Sequence, residues 1–225
     1  MLVVGVDACT TGWIAVVLAD GERPQARYVP SIDALGSVAG DAAALAVDMP
    51  IGLPTEGARH ADLLARAFVG PRRNSVFLTP VREAIEAHSH AAATRAAAER
   101  TGSGISQQAY GLARKFLEVE RWLPRAPCPV YEVHPEVSFT VLLQHPARAS
   151  KNSWAGMVER RHALEGAGIC LDHIDGDAAV RAAVDDVLDA AVAAWSAARI
   201  ARGLARSFPD PPEASQTGRP VAIWA

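Results

Sequence analysis

Seven carboxylates stand where a folded chain can gather them. Asp7 ends the apolar run Leu2–Val6, and Asp48 ends the apolar run Ala43–Val47. Glu132 and Glu136 bracket the end of a third such run, Val130–His134, and Asp185, Asp186 and Asp189 follow one another in an alanine-rich stretch. Each run reads as a strand carrying an acid at its C-terminal end, the edge at which ligands gather in open α/β sheets. Asp185 and Asp189, four residues apart, share one face of a helix, with Asp186 one turn from Asp189. Carboxylates forced together repel unless a cation neutralises them. Hard oxygen donors with no histidine or thiolate among them favour Mg²⁺ or Mn²⁺. Two such ions, about 3.5–4 Å apart, can activate a water and stabilise the leaving oxygen of a phosphodiester. In that arrangement Asp7 bridges the metals, Asp48 and Glu132 hold one side, and Asp185 or Asp189 the other, with Glu136 and Asp186 as alternative ligands. Any one of these acids has a commoner use, accepting an N–H bond at a turn or facing solvent. The argument rests on their joint pattern.

A basic segment accompanies the acids. Between residues 59 and 82 stand Arg59, Arg66, Arg72, Arg73 and Arg82 against a single acid, Asp62. Guanidinium forks suit phosphate oxygens, and Phe77 offers a ring on which a base can stack. Gly70–Ser75 has the composition of an ordered loop over a site, with Ser75 as a further substrate contact. Arg66 and Asp62 can equally pair along a helix surface. His134, inside the third acidic motif, is either a proton carrier or a structural residue bonded to the backbone.

The elements that must position these groups follow from hydropathy and turn signals. Leu2–Val6, Trp13–Leu18 and Ala26–Val29 read as three strands of an antiparallel meander, with Asp20-Gly21 as a hairpin turn. A helix over Ile32–Val38, capped by Ser31, leads to a strand at Ala43–Val47, which Pro50 and Pro54 prevent from continuing. Helices are expected at Arg59–Phe68, Ala91–Arg100, Ser106–Leu123 and Ala178–Ala205, and a last strand at Val130–His134 that ends at Pro135. The stretch 145–168 is polar and helical in part. Residues 209–220 read as a loop, and Val221–Trp224 as an added strand. The 225 residues fit one α/β domain with a mixed sheet, flanking helices, an inserted segment over 55–105 and a Pro-rich tail over 207–225.

Composition removes several classes. The chain has 22 basic and 25 acidic residues, a formal charge of −3, too balanced for a basic wrapping protein but compatible with a local phosphate-binding patch. Only Lys115 and Lys151 are lysines, and neither lies in a P-loop. Cys9, Cys128 and Cys170 form no C-x-x-C pair, which argues against a zinc ribbon and a disulfide scaffold. No basic n-region precedes the apolar start, and no run of about 18 apolar residues occurs, so a cytoplasmic protein free of the membrane is expected. Serine-hydrolase chemistry lacks its G-x-S-x-G elbow. A dimer is compatible with the pattern.

Five ordered strings are similar to those of a known family: Val4-Gly-Val-Asp7 with Gly12-Trp13, Val47-Asp-Met-Pro-Ile-Gly-Leu-Pro54, Arg73-Asn-Ser-Val-Phe77, Glu132-Val-His-Pro-Glu136 and Asp185-Asp-Val-Leu-Asp-Ala190. They resemble the motifs of an uncharacterised family of predicted ribonuclease H-like nucleases, and the last is also similar to the metal-binding helix of Holliday-junction resolvases. The resemblance implies a ribonuclease H-like fold, a metal-dependent nuclease and a nucleic-acid substrate. Asp7-Ala-Cys-Thr-Thr-Gly12 also resembles the first phosphate-binding hairpin of the sugar-kinase and actin superfamily, although 225 residues leave no room for the second domain such proteins use. A phosphotransferase of that kind, or a non-catalytic scaffold, is the competing expectation.

Overall fold

The computed structural model describes residues 1–215 and 218–225. Strands β1 (Leu2–Cys9), β2 (Gly12–Ala19) and β3 (Gln25–Val29) form the antiparallel meander. The β2–β3 turn closes through Gly21, whose φ of 78° suits glycine. β4 (Ala44–Val47) lies parallel to β1, and β5 (Val130–Glu132) parallel to β4, giving the order β3-β2-β1-β4-β5. Helices α1 (Gly36–Ala39), α2 (His60–Val69), α3 (Arg82–Glu86) and α4 (His90–Thr101) precede α5 (Gln107–Gly111) and α6 (Ala113–Trp122). After β5 come α7 (Pro135–Leu143), α8 (Trp154–Gly166), α9 (Gly176–Arg181) and α10 (Val184–Ala201).

The strands sort their residues between two faces with period two. Val4, Val6, Leu45 and Val47 pack with Phe116, Val119 and Trp122 of α6 on one side. Val3, Ala44, Ala46 and Val133 pack with Ala193 and Ala197 of α10 on the other. Helix α10 lies on the sheet with almost no side chain between. A Cβ added to Gly5 would stand 1.9 Å from the Ala194 nitrogen and 2.2 Å from the Ala190 oxygen. Those neighbours are helix backbone, which cannot rotate aside. Gly5→Ala is therefore expected to cost more than the ~1–3 kcal/mol of ordinary overpacking, read as a lower urea midpoint, and to push α10 away from β1.

The structure departs from the sequence expectations at several elements. β1 runs on to Cys9, so Asp7 lies within the strand rather than ending it. The helix expected over Ile32–Val38 is a 3₁₀ turn at Ile32–Leu35 followed by α1, and Ser31 makes no side-chain cap. β5 stops at Glu132, short of the expected His134, and Pro135 opens α7 instead, where a fixed φ and a missing N–H suit a first helical position. The single helix expected over 178–205 is two, because Ala182 and Ala183 are extended and the Asp186 carboxylate takes the Ala183 N–H at 2.9 Å. That side-chain bond competes with helix continuation in a stretch whose alanines give no sign of a break. The tail expected as a loop is β6 (Ser207–Ala214), paired antiparallel with β7 (Pro220–Trp224) around a register shift between Phe208 and Glu213. A two-stranded edge tolerates prolines that a central strand excludes. Gln216 and Thr217, inside that tail, lie outside the described residues. No described helix is long and apolar enough to cross a membrane.

Candidate metal centre

Asp7 and Asp48 meet because β1 and β4 are parallel and in register, with Val6 opposite Val47 and the Asp48 N–H on the Val6 carbonyl at 2.9 Å. Asp7 shares the face of Val3 and Gly5, and Asp48 that of Ala44 and Ala46, so both turn toward α10. On α10, Asp189 immediately precedes Ala190, whose carbonyl faces Gly5. The bare glycine thus lets the helix descend far enough to bring its acid to Asp7 and Asp48. One carboxylate oxygen from each of Asp7, Asp48 and Asp189 lies within 4.8 Å of the others, Asp7 and Asp189 being buried and Asp48 half-buried. Three carboxylate oxygens are donors of the hard class that metal cations take. The cluster could hold such an ion.

Burial and mutual repulsion act on all three carboxyls. Burial, then the charges of Asp48 and Asp189, raise the Asp7 carboxyl well above the usual range. Burial and Asp189 do the same to Asp48. Asp189 is pushed up to about 6 by burial, although Lys151 pulls the other way. The Lys151 ammonium sits 2.7 Å from Asp189 Oδ2 and 3.2 Å from Asp185 Oδ2. Burial opposes its charge, but Asp189, Asp185 and Asp7 outweigh burial and hold it protonated.

The sign of the pH dependence follows. A carboxyl whose pKa rises on folding stabilises the fold at low pH, and that stabilisation is lost as pH rises through the folded value. His134 acts in the opposite sense. Burial, aided by the Lys151 charge, pulls it down to about 4, so its contribution is present above its unfolded value near 6.5 and fades below it. Without divalent ions, Asp189→Asn is expected to be more stable than the parent at pH 7.5, with the gap closing as pH falls through about 6. Urea melts at pH 7.5 and 5.5 measure it, and His134 cancels from the comparison.

The three acids open into a cleft of about 460 Å³. Asp185, Asp186 and the triad line its acidic side, and Arg72, Asn74, Ser75, Lys151 and Asn152 also border it. Phe77 forms an apolar part of the wall, its ring 6.1 Å from that of Phe116. His134 Nδ1 accepts the Glu136 N–H at 3.2 Å, capping α7.

Several expected site residues are placed elsewhere. Glu132 is opposite Val47, not Asp48, so it shares the Val47 face and turns away from α10. There both its oxygens meet Arg59, at 2.6 and 2.8 Å, and one also takes the Ile51 N–H at 2.7 Å. Arg59 is spent in the same knot. It reaches Asp62 at 2.5 Å, is buried, and has no fork left for a phosphate. Glu136 borders the cleft but its carboxylate is engaged by Arg160 at 2.9 Å. Asp186 caps α10. Arg66 bonds the Val76 carbonyl at 2.9 Å, and Arg82 pairs with Glu120 and Glu86 along a separate groove. Arg73 is exposed, outside the cleft lining. Of the six proposed substrate contacts, Arg72 and Ser75 remain at the cleft. Lys151 stands in none of the motifs. Its signal was compositional, one of two lysines among 22 basic residues.

No curated protein and no solved structure matches the chain. A family model does match, over residues 5–214, which includes the strands and the helix that bring Asp7, Asp48 and Asp189 together. The chain belongs to the family described as protein of unknown function (DUF429).

Proposed function

We propose that the protein is a metal-dependent nuclease of ribonuclease H-like fold that hydrolyses phosphodiester bonds in the cleft above Asp7. The convergence of Asp7, Asp48 and Asp189 carries this reading: acids from within β1, from the end of β4 and from α10 are held against their own repulsion, and raised carboxyl pKa values are the cost. The strand order β3-β2-β1-β4-β5, antiparallel through β1 and parallel beyond it, supports the fold.

Asp7, Asp48 and Asp189 would hold a divalent cation, which when bound would supply countercharge to a phosphate oxygen and acidity to the attacking water. The water oxygen bonds to phosphorus, the bond to the leaving sugar oxygen breaks, one proton leaves the water and one is taken up by the alkoxide. Arg72 and Ser75 face the same cleft, where they hold the phosphate, and Phe77 supplies a surface for a base.

The test is incubation of the protein with end-labelled single-stranded, duplex and branched DNA and RNA in Mg²⁺ or Mn²⁺. Cleavage that EDTA abolishes, and that Asp7→Asn and Asp48→Asn each remove, is expected. No cleavage of any substrate, or cleavage that survives both substitutions, defeats the proposal.

A further inference from the structure

We infer that Lys151 takes the place of the second cation, so that the centre binds one divalent ion and completes its charge with an ammonium built into the chain. The inference rests on the metal-dependent reading above and refines it, because two-ion chemistry requires a second set of donors and Lys151 already occupies them. The three oxygens that converge belong to Asp7, Asp48 and Asp189. Asp185, the other acid expected to hold a second ion, is instead joined to Asp189 through the Lys151 ammonium, at 3.2 and 2.7 Å. An ion bridging the same two oxygens must displace that nitrogen. Occupation by one excludes the other.

The lysine is positioned rather than merely attracted. It lies in the turn before α8, and that turn is fixed on two sides. The Glu159 carboxylate accepts the N–H groups of Arg148 at 2.9 Å and Ala149 at 3.4 Å. Arg160 donates to the Ala149 carbonyl at 3.1 Å and to the Gly156 carbonyl at 3.1 Å. The same guanidinium is held by Glu136 at 2.9 Å. Gly156 lets the first turn of α8 close onto the loop, since a Cβ there would meet the Ser150 oxygen at 1.9 Å. A chain of contacts from Glu136 through Arg160 to Ala149 thus sets the loop that carries Lys151. This gives Glu136, part of the acidic motif yet engaged by an arginine, a positioning role.

Residue choice points the same way. Twenty of 22 basic residues are arginine. A guanidinium is a broad planar fork, whereas an ammonium is a compact point charge with three donors, the side chain closest in size and charge to a small cation. Lys151 also faces the cleft, so its charge is available to a phosphate.

The experiment counts Mn²⁺ bound per full-length chain, by the electron paramagnetic resonance of free Mn²⁺ and by calorimetry, without nucleic acid. One ion is expected for the parent and two for Lys151→Met. The double variant Lys151→Met with Asp185→Asn is expected to return to one, because the second ion would need Asp185. Two ions on the parent protein overturn the inference while leaving a metal centre in place. One ion on both the parent and Lys151→Met overturns it as well, since no second position then exists. No ion on the parent overturns both the inference and the metal-dependent reading.

Discussion

Asp7→Asn is expected to remove cleavage and, in the absence of divalent ions, to raise the melting temperature. The two effects have one cause. Asp7 is buried within β1, and the charges of Asp48 and Asp189 raise its carboxyl further. An ionised Asp7 therefore works against the fold at neutral pH unless a cation sits beside it. Asparagine keeps the shape and the oxygen that accepts the Ala8 N–H, at 2.7 Å in the parent, and discards the charge. Activity should fall by more than the roughly 10–100-fold seen when an outer partner of a metal ligand is lost, since here a donor itself is gone. The parent should gain melting temperature on adding Mn²⁺, and Asp7→Asn should gain little. Scanning calorimetry with and without Mn²⁺, beside the cleavage assay, checks both halves. A variant that is inactive and also less stable in EDTA would identify Asp7 as structural.

The second large effect is on the other side of the sheet. Arg59→Ala leaves Glu132 and Asp62 buried without their shared guanidinium, and breaking a buried pair in this way costs about 3–5 kcal/mol. That is a large part of the ~5–15 kcal/mol by which a domain is stable. Glu132→Gln should cost less, because the amide oxygen still accepts the Ile51 N–H and Arg59 keeps Asp62 as its counterion. Urea unfolding measures both. At temperatures where Glu132→Gln is folded, its cleavage rate per folded molecule should stay near that of the parent. A rate loss matching that of Asp48→Asn would return Glu132 to the metal centre.

The sequence carried the site unevenly, for physical reasons. Apolar runs that stop at Asp7 and Asp48 are local signals, and parallel pairing of their strands brings the two acids together without further information. Asp189 was legible as one of three helix acids, but the choice among them depends on where α10 touches β1. That contact is set by Gly5, whose relevance shows only once the helix is in place. The position of Glu132 at the end of an apolar run points to the cleft. One residue of register places it beside Val47 instead, and a shift of one reverses the face. The charge of Arg59 does not reveal its partners, which are 73 and three residues away, the first beyond any local pattern. The Pro-rich tail read as loop because strand propensity is weak there. It is a strand through pairing with β7 and the contact of Trp224 with Val133.

The alternation that parts Asp48 from Glu132 has a further consequence. Neighbouring strand ends deliver negative charge to both sides of one thin layer, and each side settles it differently. On the Glu132 side the countercharge is a guanidinium carried by the polypeptide, present from the moment the chain folds and indifferent to what the medium contains. On the Asp7 side Lys151 balances only part of the charge, and the remaining acids stay raised against ionisation. If the triad holds a cation, sensitivity to the ionic medium is one-sided: a chelator should loosen the contact between α10 and β1, while the layer beneath, around Arg59, keeps its amide protons.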